Sequence, residues 1–166
     1  VTQLFESKIN ERTRLVAVGF SSNILGTVND LKTIRYLSHQ VGAWLLVDAV
    51  HGAPHFSLDV KAMDCDFLLC SAYKFYGPHV GILYAREGLL DRLPTDRLRT
   101  AGQAAPDSIE TGTPNFAAFA GVTAAIEFLE SNGTGQSKRE RLVRAMEMIH
   151  EHEMGLFIKL YRGLEA

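Results

Sequence analysis

Apolar residues gather in short runs separated by amphipathic stretches. Leu15-Val16-Ala17-Val18-Gly19-Phe20 is the first run, rich in β-branched residues and followed by Ser21-Ser22-Asn23; it predicts a buried strand. Trp44-Leu45-Leu46-Val47, ending at Asp48, predicts a second, and Asp66-Phe67-Leu68-Leu69-Cys70, ending at Ser71, a third. Gly77-Pro78 reads as a turn, and Gly81-Ile82-Leu83-Tyr84-Ala85 as a fourth strand. Val28, Leu31, Ile34, Leu37 and Val41 recur at helical spacing and predict an amphipathic helix over 29–42, with Asn29 or Thr27 as cap and Gly42 as stop. Residues 2–11 read as a short polar helix and 57–63 as a helical turn. Pro94, Gly102, Pro106 and Gly112 mark 94–112 as loop. Thr113 as N-cap with Pro114 at the first helical position opens the next helix. Its inward face reads as Phe116, Phe119, Val122 or Thr123, and Ile126, and Asn132-Gly133 ends it. A longer helix over 136–162 would turn Leu142, Met146, Ile149, Leu156 and Leu160 inward.

Strand, helix, strand, connection, strand implies a mostly parallel sheet covered on both faces, a three-layer α/β/α fold. The connection into the fourth strand is too short for a crossover, so that strand is expected to run antiparallel.

Composition narrows the class. With 166 residues, 46% hydrophobic and 22% charged, the chain matches an ordinary globular domain and not a disordered or collagen-like one. No run approaches the ~20 apolar residues of a membrane helix. A net charge of −2 gives no basic footprint for nucleic acid. Two cysteines cannot build a disulfide scaffold, which points to a reducing, cytoplasmic setting. Val1 is not an initiator Met and no signal peptide follows it, so the sequence reads as a piece of something larger.

In open α/β sheets, ligands bind outside the carboxyl ends of the strands. Here those ends carry Ser22-Asn23, Asp48, and Ser71 with Lys74 three residues on. A desolvated lysine attacks carbonyls, a carboxylate can pair with a pyridinium nitrogen, and a hydroxyl at a turn can hold a phosphate. Together these are the requirements of pyridoxal 5′-phosphate. Singly each has a plainer reading: a strand-end Asp is usually a turn former, a Lys there a solvated residue, and His51 a loop histidine. Cys65 and Cys70 read as small core residues, spaced wrongly for zinc. His51, His55 and His79 are too loosely grouped for a metal site, and His150 and His152 read as solvated. Neither a Walker loop nor a G-x-G-x-x-G occurs.

The ordered segments Ser22-Asn23-Ile24-Leu25-Gly26-Thr27, Val47-Asp48-Ala49-Val50-His51, Ser71-Ala72-Tyr73-Lys74-Phe75-Tyr76-Gly77-Pro78, Gly81-Ile82-Leu83-Tyr84 and Glu110-Thr111-Gly112-Thr113-Pro114-Asn115 resemble the class V aminotransferases. Within them the sequence is most similar to the cysteine desulfurase and selenocysteine lyase group. The resemblance covers roughly residues 2–130 and implies a fold type I pyridoxal-phosphate enzyme. Residues 1–133 would be the central part of its large domain, and 134–166 a helix leading towards a small domain.

The resemblance also implies roles. Lys74 would be the Schiff-base lysine and proton shuttle, and Asp48 the partner of the ring nitrogen. Asn23 would lie near the ring hydroxyl, and His51 would take the place of a Gln that bonds the same oxygen. Ser71 would hold the phosphate, with Tyr73 as a further donor where desulfurases usually carry His. Thr113 would reach the phosphate of the neighbouring subunit of a homodimer. The implied partners are an amino-acid substrate and a sulfur acceptor protein. The nucleophilic Cys of desulfurases lies farther beyond the lysine than this sequence extends. Aminotransfer and epimerisation start from the same chemistry and remain alternatives, as does a cofactor-free scaffold with a decayed site. Alone, the piece is expected to be inactive.

Overall fold

The computed structural model describes residues 2–165. A four-stranded sheet in the order β1 (Leu15–Gly19), β2 (Trp44–Asp48), β3 (Phe67–Ser71), β4 (Gly81–Ala85) forms its centre. The first two pairings are parallel and the β3–β4 pairing is antiparallel, as the short connection requires. The helices are α1 (Thr2–Lys8), α2 (Leu31–Gln40), α3 (Val60–Met63), α4 (Phe116–Ser131) and α5 (Lys138–Glu165).

Strand alternation decides what each face does. Val16, Val18, Leu45, Val47 and Leu68 point to one side and close a core with Leu31 and Ile34 of α2, joined by Phe5 of α1 and by Val60 and Met63 of α3. At the β3–β4 side, Cys70 and Ile82 meet Leu129 of α4 and Met146 of α5. On the opposite face Leu15, Ala17 and Leu83 are exposed, because nothing among the described residues covers them. The first run is therefore not buried throughout: Val16 and Val18 are buried and Phe20 packs at the edge of the same core, while Leu15, Ala17 and Gly19 are exposed.

Capping departs from expectation twice. Asp30, not Asn29 or Thr27, caps α2 by accepting the Thr33 N–H at 3.1 Å, while Asn29 donates its side-chain N–H to the Gly19 carbonyl. Gly42, at φ +69°, closes that helix as expected. Asn115 caps α4 by accepting the Ala118 N–H, so Thr113 lies two residues ahead of the cap and Pro114 precedes it.

The inward faces of the last two helices also shift in part. Ala125 and Leu129 are buried, whereas Phe116, Phe119 and Ile126 are exposed. On α5, Met146 is buried and Leu142 and Ile149 pack beside it as expected, while Leu156 and Leu160 are exposed. Length explains the latter: at 1.5 Å per residue α4 runs about 24 Å and α5 about 42 Å, so α4 covers only the first part of its neighbour. Glu130 and Arg141 pair across the two helices. No helix among the described residues is long and apolar enough to cross a membrane.

Candidate active site

Three chain reversals at the carboxyl ends of β1, β2 and β3 build one rim. After β1, Ser22 Oγ accepts the N–H groups of Ile24 and Leu25 at 3.3 and 3.1 Å, and Gly26 turns at φ +67°. A single antiparallel bridge, Ser21 to Val28, closes this loop and leaves Asn23 exposed at its tip.

After β2, the exposed Asp48 carboxylate accepts the Val50 N–H at 3.0 Å. The chain then coils: Gly52 and Ala53 donate to the Ala49 carbonyl, and His55 and Phe56 to that of Gly52. Residue 52 has to be glycine, because a Cβ there would run into the Phe20 ring. Phe20 also meets Phe56 edge to face, with centroids 5.3 Å apart. His51 rides on this coil.

After β3, a 3₁₀ turn over Ala72–Phe75 buries Ala72 and Phe75 and turns Tyr73 and Lys74 away from the core. Tyr76 takes the left-handed conformation at φ +69°, and the Gly77 N–H returns to the Ala72 carbonyl at 2.8 Å. Gly77 passes so close that a Cβ would stand 2.9 Å from the Ala72 Cβ.

Between these reversals lies an open cleft of about 760 Å³, bringing together Asn23, His51 and Lys74. That volume falls within the range of small-molecule sites. Lys74 has no ion pair or hydrogen bond among the described residues; its Nζ stands 5.4 Å from the Tyr73 ring centre. Asp48 and Ser71 occupy neighbouring strand ends without lining the cleft. Tyr73 is stacked on His79, centroids 4.7 Å apart, outside the cleft. Thr113 is exposed ahead of α4 and does not reach the cleft either.

The far wall comes from α5, as His150, Glu153, Met154 and Phe157. These residues escape a reading of the sequence alone, which leaves His150 as merely solvated. The available signal is their spacing, since positions three and four apart share a helix face. Glu153 accepts a hydrogen bond from His55 Nδ1 at 2.8 Å, and His150 lies 5.8 Å from the Phe56 ring. No group of three or more potential metal ligands occurs among the described residues.

The donor set fits pyridoxal 5′-phosphate in kind. An amine without a carboxylate partner, an amide and an imidazole share one cleft, with a carboxylate on the next strand end held by one backbone N–H.

The family model for "Aminotransferase class-V" matches residues 1–154. A cysteine desulfurase of Cronobacter sakazakii is 38% identical over 96% of this chain and 40% of its own length. A probable cysteine desulfurase of Synechocystis sp. is 36% identical over 96% of this chain and 38% of its own. Among solved structures, a cysteine desulfurase from Escherichia coli, determined in an S-sulfonic acid form, aligns with a TM-score of 0.72 at 32% identity, covering 84% of this chain and 37% of that one. The apo cysteine desulfurase of Thermococcus onnurineus aligns with a TM-score of 0.79 at 28% identity, covering 99% and 41%. The chain thus spans about 40% of the length of the relatives it matches.

Proposed function

This chain belongs to the class-V aminotransferase family, and on that premise we propose that it forms the central part of a pyridoxal 5′-phosphate-dependent enzyme acting on an amino acid with cysteine desulfurase-type chemistry. The observation that carries the reading is the position of Lys74, in the cleft with Asn23 and His51 and without an ion pair among the described residues. An amine that no carboxylate engages is left available to bond a carbonyl carbon in the cleft.

The cofactor, when bound, supplies an electron sink for bond cleavage at the α-carbon of the substrate. The rest falls to the chain. Lys74 serves as covalent anchor and then carries the α-proton on its Nζ. Asp48, with one backbone N–H on its carboxylate, is free to hold a protonated ring nitrogen. Asn23 and His51 orient the ring from the β1 and β2 loops, and Ser71 and Tyr73 are the phosphate donors. For Tyr73 this requires leaving its stack on His79. Thr113, remote from its own cleft and exposed, is assigned to the phosphate of a second subunit in a homodimer. A sulfur acceptor protein is the partner this chemistry calls for.

The test is an absorbance titration with pyridoxal 5′-phosphate, followed by borohydride reduction and peptide mapping. A visible band that is lost in Lys74→Ala, with the label on the peptide containing Lys74, is the expected result. An unchanged band in Lys74→Ala sinks the assignment.

A further inference from the structure

The coil that carries His51 is fastened at several points to α5, an element about 100 residues further along the chain. His55 Nδ1 donates to Glu153 Oε2 at 2.8 Å across 98 positions of sequence. One helical turn earlier, His150 lies against Phe56, whose other neighbour is Phe20 at the end of β1. Nearer the start of α5, Arg139 approaches Asp59 at 3.8 Å and Ser57 Oγ at 3.4 Å. Below the coil the Phe20 ring fills the space that a side chain at position 52 would need. The coil is therefore held from beneath by packing and from the side by polar contacts. Ala49 is anchored in the core and donates to the Leu69 carbonyl, so the lateral hold acts on the later part of the coil, whose turn hydrogen bonds are the kind that open locally.

We propose that Glu153 is a positioning residue: by accepting the His55 hydrogen bond it holds the 49–56 coil, and with it His51, at the wall of the cleft. Glu153 and His55 both line that cleft, and among the described residues Glu153 has no other hydrogen bond or ion pair. Its link to the reaction rests on the reading given above; the mechanical claim does not. Exchange of an acidic oxygen for an amide oxygen preserves the acceptor, so the side chain's role is distinguishable from its bulk.

Hydrogen exchange of the 166-residue chain, read residue by residue, tests it. Both partners are about half exposed, so the contact is of ordinary surface strength. In Glu153→Ala, the amides of Ala53, His55 and Phe56 should exchange about three- to fivefold faster, with β2 and β3 amides unchanged. Glu153→Gln should exchange as the parent does. His55→Ala should reproduce the Glu153→Ala pattern, and the double variant should add nothing further. Unchanged coil amides in Glu153→Ala, acceleration spread equally over the strands, or additive single effects would each overturn the proposal. Absence of any Lys74 adduct in the full-length protein would instead defeat the functional reading, while the exchange data still decide the role of Glu153.

Discussion

The ring of Phe20 occupies the space directly above the α-carbon of Gly52, so the end of β1 and the coil after β2 interlock. Phe20 belongs to the periphery of the main core and already has Phe56 against its edge, so it cannot swing aside freely. Gly52→Ala should cost about 1–3 kcal/mol, the usual penalty for overpacking. The His51 coil should move with it. Urea unfolding measures the first effect, and loss of pyridoxal 5′-phosphate affinity beyond the stability change measures the second. Wild-type stability in Gly52→Ala would show that the Phe20 ring is looser than the structure has it.

Asp48 carries a second prediction. Its carboxylate is exposed at the rim and accepts only the Val50 N–H, so it is not needed to hold the fold. Asp48→Asn should leave the unfolding midpoint nearly unchanged, since the amide oxygen can still accept that N–H. Under the proposed function it removes a charged partner of the cofactor ring, worth about 1.5–3 kcal/mol, and affinity should fall tenfold or more. Asp30→Asn, at the cap of α2 and outside the cleft, is the control and should not alter affinity. Equal affinity in Asp48→Asn and the parent would remove Asp48 from the site.

The four strands, their mixed direction and the rim residues were legible in the sequence because buried strands are short continuous apolar runs closed by polar residues. Lys74 and His51 could be read for the same reason: each follows the end of such a run. Caps were less legible. Asn29 and Asp30 are both good capping residues, and so are Thr113 and Asn115; which one acts depends on where the chain enters the helix. The inward faces of α4 and α5 were legible only in part, because periodicity gives a face but not a neighbour: Val122, Leu142, Met146 and Ile149 pack as expected, whereas Phe116, Phe119 and Ile126 do not. Leu156 and Leu160 continue the stripe of Met146 past the point where α4 ends. His55 and Glu153 could not be paired from sequence at all, since their contact spans 98 residues.

At the opposite end of the sheet, Asp64 and Asp66 tie the start of β3 to its neighbours, and acid should loosen the Asp64 part of this tie. The Arg86 hydrogen bond, helped by Arg35 against a burial penalty, holds the Asp64 carboxyl below its ordinary 3.8. A carboxyl lowered on folding stabilises the folded state above its unfolded value, and that contribution is lost as pH falls through the folded one. The parent should therefore lose stability progressively below about pH 4. Asp64→Asn should be less stable near neutrality and flatter on the acid side. The slope will not vanish, because Asp30, Asp59 and Glu140 are lowered too. Asp66 is the more costly loss: it is buried, accepts the Leu45 N–H at 2.8 Å and lies 3.2 Å from His39 Nε2. Asp66→Ala would strand that N–H and take away the carboxylate 3.1 Å from the buried Arg86 Nε, at about 3 kcal/mol. Unfolding curves at pH 7 and pH 3 separate the two effects; parallel acid limbs in the parent and Asp64→Asn would refute the first.

Neither cysteine is placed to act as a nucleophile, and alkylation can show it. Burial pushes both the Cys65 and the Cys70 thiols up from their ordinary value, so less thiolate is present at neutral pH than in an exposed cysteine. Cys65 is fully buried in the main core, and Cys70 lies between the two apolar clusters on the covered face of β3. Iodoacetamide at pH 7 should label the folded chain at least tenfold more slowly than the same chain in urea, with Cys65 the slower of the two. Oxidation by peroxide should follow the same order, because it also proceeds through the thiolate. Fast labelling of Cys70 in the folded state would show that the covered face of β3 opens more readily than the structure has it. Protection of both leaves sulfur transfer dependent on a thiol other than these two, and makes the search for it the deciding step between sulfur transfer and aminotransfer.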